Sequence, residues 1–206
     1  MYNEYFVKVP SAYFHETPNS SSPVTDELLY GTKVYTVDTD KEKCPDGWLF
    51  CTTTYGYKGY INLSKLSKVT GNKNEEKYVV TSPFCDVLES PEYKYKPLLS
   101  LPRGSILTKT TLFGDVSGFC DVTIGTARCY VRSCNIKRQS DLQKMTDEDT
   151  KRRNIVDTAL SYLDTPYRWG GKSAFGIDCS GLCFMAYHIN GIDLWRDAVP
   201  DTKYVF

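Results

Sequence analysis

Over roughly the first 140 residues, apolar and polar positions alternate in short runs that close on Gly, Pro or Asn, the pattern of half-buried strands joined by turns. The pattern occurs twice. Tyr5-Phe6-Val7-Lys8-Val9-Pro10 has a counterpart in Tyr78-Val79-Val80-Thr81-Ser82-Pro83. Each copy then reaches a Glu-x-Pro turn, at Glu16-Thr17-Pro18 and Glu89-Ser90-Pro91. A Leu-containing run ending in Gly follows, Leu28-Leu29-Tyr30-Gly31 and Leu101-Pro102-Arg103-Gly104. Next come Lys33-Val34-Tyr35-Thr36-Val37 and Ser105-Ile106-Leu107-Thr108, the Gly-aromatic pairs Gly47-Trp48 and Gly118-Phe119, and the closing strands Gly59-Tyr60-Ile61 and Cys129-Tyr130-Val131. An internal repeat of this length, made of short strands, predicts two small β-barrels, over residues 1–70 and 76–138. The polar stretch over residues 70–77, with Gly and Asn, is the expected linker.

From about Ser140 the period lengthens to 3.6. Thr146-Asp147-Glu148-Asp149 marks a helix start, and Ile155, Val156, Ala159, Leu160 and Leu163 fall on one helical face. Thr165-Pro166 is expected to end that helix. A Gly-rich loop carrying Trp169, Gly170 and Gly171 leads to a second helix over about 180–189, with Leu182, Cys183, Ala186 and Ile189 on its apolar side and Gly191 stopping it. Residues 140–206 thus supply helices without a sheet to bury them.

The composition narrows the function classes. Lys and Arg number 25 and Asp and Glu number 25. This balance argues against binding nucleic acid or an anionic membrane, which needs an excess of cations. Sixteen Tyr suit half-buried strand faces and ligand-contacting surfaces. No apolar run is long enough for a membrane span, and the first residues lack the basic and apolar regions of a secretory signal. The expected compartment is therefore the cytoplasm, or the cell wall reached by non-classical export or as a mature form. Eight Cys are present, none in a Cys-x-x-Cys pair, and Cys120, Cys129 and Cys134 are spaced too irregularly for a zinc module. Seven of the eight are expected to be small buried hydrophobes. Neither metal nor cofactor is expected, and a monomer is assumed.

The eighth, Cys179, lies at the expected N-terminus of the second helix, where free N–H groups and the helix dipole favour thiolate over thiol. Gly181 is expected to let the backbone run close to a substrate, and the Cys179 N–H to serve as an oxyanion donor. Pro166-Tyr167-Arg168-Trp169-Gly170-Gly171 followed by Asp178-Cys179-Ser180-Gly181 resembles the NlpC family of papain-like cysteine peptidases. The order and spacing of the two expected barrels resemble tandem bacterial SH3-like domains, which precede the catalytic domain in one branch of that family. The resemblance implies two SH3-like barrels and then the N-terminal helical part of a papain-like α+β domain over 140–206. It also implies cleavage of peptidoglycan stem peptides between D-γ-Glu and a diamino acid, by thiolate attack and acyl-enzyme hydrolysis.

By position, the resemblance makes Cys179 the nucleophile and places Tyr167 beside it, on substrate or oxyanion. Asp178 and Ser180 would bind the free amine of an N-terminal L-Ala; Asp178 is equally placed to be an ordinary helix N-terminal acid. Glu27 and Tyr57 of the first barrel would close over the substrate, with Tyr60 as the alternative to Tyr57. They would be plain surface residues unless the barrel packs on the catalytic face. Trp169 is expected to pack, and Cys183 to be core.

A thiolate nucleophile needs a base, and the chain has only His15 and His188. His188 follows Cys179 by nine positions, roughly 13 Å of helical rise, beyond hydrogen-bond reach. The expected explanation is a fragment of a longer peptidase; the alternative is a truncated, inactive chain that binds cell-wall peptides. An acyltransferase acting on lipids would need an apolar surface segment, which the sequence lacks.

Overall fold

The computed structural model describes residues 3–37, 44–68, 76–109, 116–144, 147–192 and 194–197. The expected linker over 70–77 and the end of the chain fall mainly outside them.

The first β unit contains β1 (Glu4–Val7), β2 (Ser11–His15), β3 (Val24–Leu29), β4 (Lys33–Thr36), β5 (Trp48–Thr53), β6 (Lys58–Asn62) and, after a 3-10 turn at Leu63–Lys65, β7 (Leu66–Lys68). These form one antiparallel sheet in the order β3-β2-β6-β5-β4-β1-β7. The second unit repeats the series: β8 (Lys77–Val80), β9 (Phe84–Val87), β10 (Leu99–Pro102), β11 (Ile106–Lys109), β12 (Phe119–Ile124), β13 (Ala127–Arg132), a 3-10 turn at Ser133–Asn135 and β14 (Ile136–Arg138). Here the ladder divides into β13-β12-β11-β8-β14 and the pair β10-β9. Period-two alternation sends Ala12 and Phe14 inward from β2, and Cys85 and Val87 from β9.

Each unit has its own apolar core, around Phe14, Leu28, Val34 and Ile61 in the first and around Val80, Leu101, Leu107 and Val131 in the second. Tyr30 of the first unit is buried in the second unit's core, and its carbonyl accepts the Ile106 N–H at 2.8 Å. The next residue, Gly31, has φ +80°, and a Cβ there would collide with the Ile106 carbonyl, so this junction requires glycine.

The remaining residues form α1 (Gln139–Gln143), α2 (Glu148–Leu160), the short hairpin β15 (Lys172–Ser173) and β16 (Gly176–Ile177), and α3 (Cys179–His188). A third core joins everything: Leu29 from β3 and Val79 from β8 pack with Phe184, Met185 and Ile189. Full burial of one such side chain stabilises by about 1.5–3 kcal/mol, so α3 is held on both β units.

Three expectations about faces change. The buried side of α3 is Gly181, Phe184, Met185 and Ala186; Leu182 is half-exposed and Cys183 exposed. Helix α2 ends at Leu160, before Thr165-Pro166, and carries no buried residue. Just past α3, the Asn190 amide donates to the Asn154 carbonyl and the Thr158 hydroxyl of α2; Ile155 and Ala159 are half-buried, while Val156, Leu160 and Leu163 are exposed. Of the seven cysteines expected to be buried, Cys51, Cys85, Cys120 and Cys129 are; Cys44 is half-buried, and Cys134 and Cys183 are exposed.

Candidate active site

The loop before α3 is folded by its own backbone. The Ile177 N–H donates to the Pro166 carbonyl at 3.0 Å, and the Arg168 N–H donates to the Ile177 carbonyl at 3.2 Å. Gly171 then accepts from the Asp178 N–H at 3.3 Å. This brings the Tyr167–Gly171 stretch alongside the start of α3. Asp178 is the N-cap: its backbone is extended, and its Oδ1 accepts the Gly181 N–H at 2.6 Å. Cys179 is therefore the first residue of the helix, and it is exposed.

Gly181 has a structural cause different from the expected one. A Cβ on it would strike the Gly171 carbonyl oxygen, so glycine lets α3 close against its own loop. Gly170 is constrained too: its φ is +73°, and a Cβ would lie 2.8 Å from Val24 Cγ1. Its N–H donates to Asp178 Oδ2 at 2.8 Å, and its carbonyl accepts the Glu27 N–H at 2.8 Å. The loop is thus laid on β3 of the first unit.

Behind Cys179 lies a buried polar cluster. Asp26, Glu27, Lys172, Asp178 and Arg196 are each at most 7% exposed. Lys172 Nζ donates to Asp26 Oδ2 at 3.0 Å and to the Tyr55 hydroxyl at 2.7 Å, and that hydroxyl donates to Asp26 Oδ2 at 2.6 Å. Arg196 Nε donates to Asp26 Oδ1 at 2.8 Å, and its Nη1 and Nη2 hold both Asp178 oxygens at 3.0 Å. Nη1 also donates to the Ser180 hydroxyl, which in turn donates to Asp178 Oδ1 at 3.2 Å.

The titration shifts follow from this arrangement. Burial by itself would raise the Asp178 carboxyl, but the Arg196 guanidinium and the Gly181 and Gly170 N–H groups outweigh it and hold the group below its ordinary value. Burial lowers Lys172, against the pull of Asp26. Burial, then the Asp26 charge, pushes the Tyr55 phenol well up.

The expected site residues are distributed as follows. Tyr167 is 68% exposed beside the start of α3, bridged through its backbone to Ile177. Ser180 is half-exposed, with its hydroxyl already engaged. Asp178 is 7% exposed, so a substrate amine would approach a carboxylate that already holds a guanidinium and two backbone N–H groups. Glu27 is fully buried, taking the Ser11 hydroxyl and the Lys172 N–H at 2.6 Å each; it fastens the first unit to the loop and is no surface residue. Tyr57 is half-buried near the cluster, and burial, then Asp197 and Asp26, push its phenol up to about 12. Tyr60 lies elsewhere, with its ring 4.8 Å from that of Phe50. Trp169 is 69% exposed, against the expectation that it packs. His15 sits 3.0 Å from the Ser22 carbonyl, and His188 stacks on Phe184 at the opposite end of α3 from Cys179.

Asp26, Tyr55, Lys172 and Arg196 were not singled out from the sequence. One signal was present: adjacent residues of a strand face opposite sides, so the consecutive acids Asp26-Glu27 in an otherwise apolar strand implied cover, and cationic partners, on both faces. Arg196 carried no such mark.

An exposed cysteine opens a helix capped by its own preceding Asp and seated against a Gly-rich loop, which makes this a candidate thiol site. Residues 164–206 match the pattern of the NlpC/P60 family. Dipeptidyl-peptidase 6 of Lysinibacillus sphaericus is 35% identical over 195 residues, 91% of this chain and 69% of that protein. The chain belongs to the NlpC/P60 family. The gamma-D-glutamyl-L-lysine dipeptidyl-peptidase of Bacillus subtilis (strain 168) is 28% identical over 72% of this chain, which spans 46% of that relative. The crystal structure of an NlpC/P60 family protein from Bacillus cereus ATCC 10987 shares the fold, with a TM-score of 0.78 at 20% identity over 97% of this chain and 76% of that one.

Proposed function

We propose that the protein is a cysteine endopeptidase of peptidoglycan stem peptides, with Cys179 as the nucleophile that attacks the amide between D-γ-Glu and a diamino acid. The observation carrying this reading is Cys179 itself, exposed on the first turn of α3. The thiolate would add to the carbonyl, the diamino acid would leave as an amine, and water would release the acyl group. The Cys179 N–H is the proposed oxyanion donor, with Tyr167 over the same opening.

The preference proposed is for short peptides with a free N-terminal L-Ala. The cluster behind Cys179 sets three carboxylates, Asp26, Glu27 and Asp178, against two cations, Lys172 and Arg196. An ammonium group would meet excess negative charge there, with Ser180 and Tyr57 at its edge. The proposed organisation is two SH3-like barrels, 1–70 and 76–138, with a papain-like segment over 140–206; the repeated strand series supports it.

The test is covalent capture. A peptide L-Ala-γ-D-Glu ending in an electrophilic ketone is expected to label Cys179 in minutes, leaving Cys183 and Cys134 unlabelled. Labelling that is indifferent to the peptide portion would refute the substrate assignment. A second reading, a binder of cell-wall peptides without turnover, is favoured by where the histidines sit: His15 is on the Ser22 carbonyl, and His188 stacks on Phe184 at the far end of α3. Incubation with L-Ala-γ-D-Glu-L-Lys separates the two. Lysine release lost in Cys179→Ala supports the enzyme, and binding without release supports the binder.

A further inference from the structure

We infer that Arg196 is a positioning residue for Cys179: its buried guanidinium fixes Asp178 and Ser180, the two residues flanking the nucleophile, and ties both to Asp26 in the first β unit. The inference rests on the reading of Cys179 as the nucleophile.

Arg196 is 1% exposed and donates to three side chains, one on β3 and two at the start of α3. Asp26 belongs to β3, Asp178 is the cap of α3, and Ser180 lies in its first turn. The planar guanidinium meets Asp178 with both Nη atoms, leaving Nε for Asp26. Lysine, a single point charge, cannot make this fork. Asp178 depends on it in turn. A carboxylate at 7% exposure is stable as a cap only while its charge is matched, and without the guanidinium it must protonate or swing out. Either change loosens the turn that presents Cys179. Ser180, which accepts from Nη1 and donates to Asp178, loses its orientation in the same event.

The consequence is coupling across a domain boundary. Asp26 is 170 positions from Arg196 in the chain, and its carboxylate is held by Arg196, Lys172 and Tyr55. Through the guanidinium it bears on both neighbours of the nucleophile. The first β unit is then part of the nucleophile's support, in addition to any role in covering substrate.

The experiment measures iodoacetamide alkylation of Cys179 against pH, resolved by peptide mass spectrometry, in wild type, Arg196→Met, Arg196→Lys and Asp26→Asn. Removing the guanidinium takes the cation from Asp178, next to the thiol, and leaves Asp26 with Lys172 alone, so net negative charge near Cys179 rises and disfavours thiolate. In Arg196→Met the midpoint is expected to rise by about one unit, which is about a tenfold loss of rate at neutral pH. Arg196→Lys is expected to recover part of that shift, and Asp26→Asn to move the midpoint the other way. A purely structural residue would lower the melting temperature and leave the Cys179 midpoint unchanged, and that result overturns the inference. Should Arg196→Met unfold, seen as alkylation of buried Cys51 and Cys85, the Arg196→Lys and Asp26→Asn midpoints decide, and no shift in either overturns it. A wild-type Cys179 no more reactive than Cys183 would instead overturn the nucleophile reading, whatever the variants do.

Discussion

Replacing Asp178 by alanine removes the cap of α3 and one of the two carboxylates that hold a buried guanidinium. The lost cap is the bond from the Gly181 N–H at 2.6 Å, and losing an N-cap acid costs about 1 kcal/mol. The second effect is larger. Both Nη atoms of Arg196 lose their Asp178 oxygens 3.0 Å away, keeping only Ser180 at Nη1 and Asp26 at Nε, and removing one partner of a buried pair costs about 3–5 kcal/mol. The two effects share one network and do not add in full, so the expected loss is about 3–5 kcal/mol. For a chain of this size that is about 6–20 °C in melting temperature. Asp178→Asn keeps one acceptor and the cap, and should lose less. Thermal unfolding followed by circular dichroism is the assay, run at pH 7 and again near pH 3. The folded Asp178 carboxyl lies below its ordinary value. Its stabilisation is therefore present above about pH 3.9 and is lost as pH falls through the lowered folded value. The gap between wild type and Asp178→Ala should narrow at the acid end. A gap below about 1 kcal/mol at pH 7, no more than the cap alone is worth, would refute the buried-pair reasoning.

Other outcomes follow from the same geometry. Gly170→Ala should destabilise by about 1–3 kcal/mol in urea unfolding, because its φ of +73° and the Val24 Cγ1 atom at 2.8 Å both oppose a side chain. Tyr55→Phe removes a hydroxyl that donates to Asp26 and accepts from Lys172, and should cost about 1–3 kcal/mol while leaving Cys179 alkylation in place. Burial pushes Cys51 and Cys85 up to about 12, so their contribution is full below the ordinary thiol value and lost as pH rises through the folded one; a pH titration should show stability falling between about 9 and 12, and Cys51→Ser/Cys85→Ser should flatten that limb. Tyr167→Phe leaves the exposed ring in place and should slow capture of the peptide electrophile without changing the melting temperature, which unfolding and labelling rates together would check.

Most of what the sequence determined is local. Strand period, turn glycines and the doubled order of elements are set by residues a few positions apart, so both β units could be read without a fold. The Asp178-Cys179-Ser180-Gly181 run is local as well, since an N-cap and its helix are neighbours in the chain, and Cys179 falls on the first turn as expected. Helix faces were less legible. Ile155, Val156, Ala159, Leu160 and Leu163 were read as one helical face, but periodicity cannot say what covers a face, and α2 carries no buried residue while its Asn154 and Thr158 bond Asn190 just past α3. Gly181 was marked as a place of close approach, yet only the fold showed that the approaching group is the Gly171 carbonyl. The charges behind Cys179 were decided wholly by tertiary structure. Lys172 and Arg196 meet Asp26 across 146 and 170 positions, and no spacing rule links residues so far apart. Burial then decides what they do: Asp26 and Glu27, plain acids in the sequence, become buried ties between a β unit and the loop that carries Cys179.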